Sequence, residues 1–176
     1  LMYALGLRNG EACGANFGDI KPMSTHPECA ALWVYKSTIA GTGVLQSSGK
    51  SRNADRVIPI PQKLERFLAE RKQYIAEEMA ISGADPAVVD TMPIACVGNN
   101  FSERCTASKL TAAGRELFRQ IALDEFVLSY IDRDLSDESE RHLPKEKEST
   151  SYLFRRNFGT HMQILGLTEP EIEYIL

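Results

Sequence analysis

The residue pattern of this 176-residue chain predicts an α+β fold, mainly α, with a small three-stranded antiparallel sheet. Three observations carry that prediction. Beyond Pro61, and again toward the C-terminus, apolar residues recur at helical spacing with charged residues between them, the mark of amphipathic helices. A single stretch, ALWVYKSTIAGTGVLQSSGKSRNADRVIPIP at 31–61, is rich in β-branched and aromatic residues and is broken by GTG at 41–43 and by SSGKSRNAD at 47–55. It reads as three short strands and two turns. The composition, 43% hydrophobic and 25% charged, is that of a globular chain able to bury one sizeable core, so one domain over 1–176 is expected.

Each element has its own local reason. Residues 9–14 form a short helix with Asn9 as N-cap and Glu11 in the first turn, where the helix dipole favours an acid; FGDIKP ends it. After Pro61, Leu64, Phe67, Leu68, Ile75 and Met79 outline one long helix, with Lys, Arg and Glu on its other face. Residues 84–106 hold two prolines, Gly98 and the pair Asn99 and Asn100, and read as loop with a short extended piece at 94–97. Leu110, Leu117, Phe118, Ile121 and Leu128 outline the next helix, which Thr106 or Ser108 can cap. The segment DRDLSDESERHLPKEKESTS at 132–151 has almost no core-forming side chains and is expected to be a mobile surface loop. In YLFRRNFGTHMQILGL at 152–167, Phe154, Phe158, Met162 and Leu165 share one helical stripe, which turns Arg155 and Arg156 off it, and Gly166 stands as the stop. Thr168 and Glu171 make a capping-box pattern that opens a last helix.

Several function classes drop out. The chain has no apolar run of about 18 residues and no signal-peptide pattern at its start, so a soluble, cytoplasmic protein with no membrane partner is expected. Cysteines at 13, 29, 96 and 105 lack CxxC spacing and the histidines at 26, 142 and 161 are scattered, so reduced thiols and no metal site are expected. No GxxxxGK[ST] occurs, which argues against a P-loop enzyme. The formal charge of −4 offers no general attraction to nucleic acid. Locally the sign reverses: over 49–56, Lys50, Arg52 and Arg56 stand against Asp55, a net of +2 (3 − 1).

Arg8, Lys50, Arg155 and Arg156 fall where a shared face is open to them. Guanidinium forks match phosphate oxygens in pairs, and a lysine ammonium acts as a point charge or proton donor, so together they can hold a phosphate. In the competing reading Arg8 pairs with Glu11 or Asp19, and Arg155 and Arg156 are solvated residues of a helix face.

The order of these segments resembles the catalytic domain of the tyrosine recombinases, the phage integrase family. GLRNGEACGANFGDIKP at 6–22 resembles that family's first arginine motif, and GKSRNADRVIPIP at 49–61 its lysine-bearing β-hairpin. YLFRRNFGTHMQILGL resembles its HxxRHxFATH motif. The resemblance covers nearly the whole chain and implies a helical integrase-type catalytic domain. It implies site-specific DNA recombination through a phosphotyrosyl intermediate, with neither metal nor other cofactor, in a bacterial or phage-encoded protein. It places Arg8 and Arg155 as the catalytic arginines and Lys50 as general acid. Tyr152 stands where the family has histidine; a phenol with pKa of about 10 can still hydrogen-bond phosphate but is a poor base at neutral pH. Arg52, Arg56 and Arg156 are expected on the DNA, and His161, in FGTH, is expected to pack.

The family's Gly-His pair and nucleophilic tyrosine would follow Leu176, and Tyr174 fits core packing instead. The resemblance therefore implies a truncated catalytic domain, inactive alone. Its implied partners are double-stranded DNA and, in a synaptic complex, other recombinase protomers, with the piece itself monomeric. Two alternatives stand beside this: a noncatalytic DNA-binding or regulatory relative, and a helical protein-interaction module.

Overall fold

The computed structural model of the chain describes residues 1–39, 41–47, 55–120 and 152–175. Its first helix, α1 (Met2–Leu5), is absent from the sequence reading. It ends at Gly6, whose φ of 63° is a left-handed conformation that favours glycine, and whose N–H closes on the Met2 carbonyl. Helix α2 (Asn9–Gly14) begins as expected, except that Arg8 rather than Asn9 is its N-cap. Glu11 reaches back to accept the Arg8 backbone N–H at 2.8 Å, which satisfies a donor the helix start leaves open.

A 3-10 turn at Phe17–Asp19 leads into β1 (Ile20–Pro22), then β2 (Ala30–Val34), β3 (Lys36–Thr38), β4 (Leu45–Ser47) and β5 (Arg56–Pro59). The expected three-stranded antiparallel sheet exists in the order β1-β2-β5, with Leu32 opposite both Ile20 and Ile58. Its strands differ from those expected: β1 lies before residue 31, and β3 and β4 form a separate ribbon. From Leu32 on, burial alternates as an antiparallel sheet with one wet face requires, Leu32 and Val34 facing in and Trp33 out, while Ala31 is buried as well. The same alternation buries Arg56 and Ile58 and exposes Val57 and Pro59.

Helix α3 (Gln62–Ile81) buries Leu68, Ile75 and Met79 at the expected spacing, whereas Phe67 is 59% exposed. The stretch read as loop contains a 3-10 segment, Pro86–Thr91, and a hairpin of β6 (Cys96–Val97) and β7 (Asn100–Arg104) around Gly98, whose φ is 55°. Helix α4 (Ala107–Gln120) is capped by Thr106, whose hydroxyl accepts the Lys109 N–H at 3.2 Å. Helix α5 (Tyr152–Ile164) stops near Gly166, φ 91°, and ahead of α6 (Glu169–Ile175) one half of the expected capping box forms: Glu171 Oε2 accepts the Thr168 backbone N–H at 2.7 Å, while the Thr168 hydroxyl donates to the same carboxylate at 2.6 Å.

One core cluster joins the parts: Leu5 and Leu7 from the first turns, Phe17, Leu32 and Ile58 from the sheet region, and Leu68 and Ile75 from α3. Helix α1 packs on α5, and α2 lies on β3 and α4. The chain is thus mixed helix and strand with small antiparallel sheets. No helix among the described residues is long and apolar enough to cross a membrane. The expected surface loop at 132–151 lies outside the described residues.

Candidate functional site

The site grows from Glu11, the third residue of α2. Its side chain is only 5% exposed, and an ionised carboxylate so buried needs cationic partners. Arginines from the three sequence motifs surround it. Arg8, at the start of the same helix, donates from Nη1 to Oε1 at 3.0 Å. Arg56, on β5, donates from Nη1 to Oε1 at 3.0 Å and from Nη2 to Oε2 at 2.9 Å, the two-pronged fork that a guanidinium makes with a carboxylate. Arg155, on α5, lies with Nη1 3.9 Å from Oε2 and donates to the Gly6 carbonyl at 2.6 Å, across 149 residues of sequence. These four side chains carry three positive charges and one negative, a net of +2 (3 − 1).

Burial pushes the Glu11 carboxyl up. The hydrogen bonds from Arg56 and from the Arg8 backbone, with the charges of both arginines, outweigh it and hold the group below its ordinary value. The carboxylate therefore stays ionised and orders its neighbours. Arg8 is placed differently from the other two. Its side chain is 52% exposed, against 1% for Arg56 and 7% for Arg155. Its Nε and Nη2 make no bond among the described residues and can meet an incoming anion.

A second layer holds α2 in place. Arg104, at the end of β7, donates to the Cys13 carbonyl at 2.7 Å and to the Asn16 side chain, gripping the C-terminal end of α2, where a cation complements the helix dipole. Asp19 is buried, accepts the Tyr35 hydroxyl at 2.9 Å and pairs with Lys36 at 2.7 Å, so its charge is matched by that lysine. Cys13, on the buried side of α2, has its thiol pushed up to about 12, first by burial and then by Cys105, which makes it a packing group rather than a nucleophile. Beside Arg56 a cleft of about 560 Å³ is lined by Lys21, Trp33, Tyr35 and Asp55.

The structure thus brings Arg8 and Arg155, two of the four members of the expected phosphate cradle, to one carboxylate. The pairing of Arg8 with Glu11, from the competing reading, is also present, and one arrangement contains both. Four expectations are corrected. Arg56 was placed on the DNA surface, but its guanidinium is buried on Glu11, because it shares the inward face of β5 with Ile58. Arg155 does not point off the apolar stripe. It stands three residues before buried Phe158, hence on the same helix face, while Leu165, expected on that stripe, is 61% exposed. His161 is likewise exposed rather than packed. Lys50 and Arg52 lie outside the described residues, as do the side chains of Tyr152 and Arg156. Sequence reasoning missed Glu11 as the common acceptor, although its position three residues after Arg8 pointed to their pairing. The Gly6 carbonyl had no signal at all.

With that geometry the chain can be set beside known proteins. No family model matches it, and no curated protein does. Among solved structures its fold is that of an integrase. The Tn1549 transposon integrase in complex with transposon right end DNA is 20% identical, with a TM-score of 0.61 over 99% of this chain and 47% of that one. The same integrase with a circular intermediate DNA is 18% identical, with a TM-score of 0.59, over 99% of this chain and 48% of that one. The chain therefore spans about half the length of the integrase chains it resembles. At the level of fold, the resemblance carried by the three motifs stands.

Proposed function

We propose that this chain is the phosphate-gripping part of a site-specific DNA recombinase of the tyrosine type. What supports this above all is the convergence of Arg8, Arg56 and Arg155 on Glu11, each from a different motif. The fold shared with an integrase solved on transposon DNA supports it further. In this reading Arg8 and Arg155 face the nonbridging oxygens of a scissile phosphodiester and neutralise the charge that grows on them in the transition state. A tyrosine hydroxyl gives up its proton to solvent as its oxygen attacks the phosphorus, the bond to the 5′ oxygen breaks, and Lys50 protonates that oxygen as it leaves as a 5′-hydroxyl. Religation runs the same steps backward, and the phosphotyrosyl bond conserves the energy for it. In this reading the arginine cluster grips the phosphate, and the attacking tyrosine is not one of the residues of that cluster. Duplex DNA is the partner of this piece, and other protomers are partners of the complete enzyme.

The test is DNA affinity against salt. Arg8→Ala should weaken binding to a duplex about tenfold and lower the slope of log affinity against log salt by about 1, the loss of one phosphate contact. A folded Arg8→Ala protein with unchanged affinity and slope would sink the proposal and leave the protein-interaction module in its place. One residue favours a second reading: Tyr152, where the resemblance implies histidine, fits a noncatalytic DNA-binding relative. A protein extended past Leu176 and offered a nicked duplex separates the two, since only a recombinase accumulates a covalent DNA complex.

A further inference from the structure

We infer that Arg56 is a positioning residue that keeps Glu11 from capturing Arg8, so that Arg8 presents its outer donors to phosphate; this rests on the function proposed above. The geometry is specific. Arg56 occupies both carboxylate oxygens of Glu11 from the buried side, whereas Arg8 uses one nitrogen on one oxygen from the solvent side. The backbone N–H of Arg8 also bonds Glu11, at 2.8 Å, so the carboxylate fixes where the Arg8 side chain starts as well as where it points. At 1% exposure, and on the inward face of its strand, the Arg56 guanidinium does not reach a duplex lying on the surface. Its charge instead offsets that of Glu11 within the cluster. Without Arg56, Glu11 holds a full negative charge beside the phosphate position and closes on Arg8 as its nearest guanidinium. Phosphate then meets an occupied arginine and a repelling carboxylate. Arg56 also stands six residues after Lys50 in the chain, so the same ion pair anchors the strand that follows Lys50 in the sequence.

This predicts a rescue that neither a direct phosphate contact nor a simple packing role produces. Binding of a fluorescent duplex at about 50 mM salt is measured for the whole chain, for Arg56→Met and for Glu11→Gln/Arg56→Met, with helical content checked by circular dichroism. Arg56→Met should bind about tenfold more weakly, and the double variant should return to within about threefold of the unaltered chain, because neutralising the freed carboxylate releases Arg8. A loss that Glu11→Gln does not repair, with the salt slope reduced by about 1, would mean that Arg56 touches phosphate itself and would overturn the inference. Unaltered binding by folded Arg56→Met would overturn it too. Should Arg56→Met fail to fold, Arg56→Lys serves, since it keeps the charge and loses the fork; a several-fold loss repaired by Glu11→Gln is then expected, and no repair overturns the inference. A second measurement needs no DNA. Followed by NMR, the Glu11 carboxyl should titrate at higher pH in Arg56→Met or Arg56→Lys than in the unaltered chain, and unchanged titration overturns the positioning role. Failure of the unaltered chain to bind any duplex would overturn the proposed function instead, and the titration tells the two failures apart.

Discussion

Glu11 shows how a single carboxylate sets the character of a cluster. Burial raises its cost of ionisation, and two arginines more than offset that cost. Because its folded-state pKa is lowered, it contributes stability above the unfolded carboxyl value of about 4.3, and that stability is lost as pH falls through the lower folded value. Glu11→Gln should therefore flatten the acid limb of a stability-against-pH curve below about pH 4. Near pH 7 it should cost about 3 kcal/mol, since it leaves buried arginines short of their counter-charge. Urea melts across pH test this, and an acid limb of unchanged slope would show that other carboxylates govern acid unfolding. The residues that sequence reasoning placed wrongly, Arg56 and Arg155, were misjudged for one reason. An arginine is expected in water, and nothing local announces a buried acid waiting for it. Period-2 spacing from Ile58 and Ile60 did point Arg56 inward, but its charge argued the other way.

Among the elements, α2 governs the site, and a glycine decides how closely it lies on the sheet ribbon. A Cβ on Gly14 would stand 2.9 Å from the Lys36 carbonyl oxygen and 3.0 Å from the Ser37 Cα, both backbone atoms that cannot step aside. Gly14→Ala should destabilise the fold by about 1–3 kcal/mol and weaken DNA binding with it, because α2 carries Glu11 and begins at Arg8. Equilibrium unfolding checks the first part, and a stability within about 0.5 kcal/mol of the unaltered chain would show that β3 yields. Most helix ends are legible in the sequence, since caps are local chemistry: Thr106 and Gly166 act as expected and Glu171 accepts the Thr168 N–H, whereas Arg8 takes the N-cap position expected of Asn9. The extended piece expected at 94–97 contains β6, whereas its partner β7 is not legible, because the strand is short and lacks alternation and follows Gly98 and two asparagines that read as loop.

Across the molecule, one core ties the sheet to α3 and to the turns beneath the arginines, so the cluster should not outlive the fold. Trp33, the one tryptophan, stands on the outer face of β2 and reports on the sheet, while circular dichroism at 222 nm reports on the helices. Both signals should melt at the same temperature, as a cooperative unit requires, and separate transitions would mean that sheet and helices unfold independently. The net charge of −4 and the net +2 at Glu11 coexist because charge acts locally in screened water, over about 10 Å at 0.1 M salt.

Spacing along the chain was enough to reveal the long helices, the one β-rich stretch, the caps and the three arginine-bearing motifs. Each of those depends on neighbours within a turn of helix or a strand's length, and side-chain pattern records such neighbours directly. That Arg8, Arg56 and Arg155 share one carboxylate, that Arg155 closes on Gly6 across 149 residues, and that Arg8 alone stays half in solvent came from the folded chain. Those facts depend on which faces the core draws together. No residue carries that information until the apolar surfaces of α1, α2, the sheet and α5 have packed and brought these charges together.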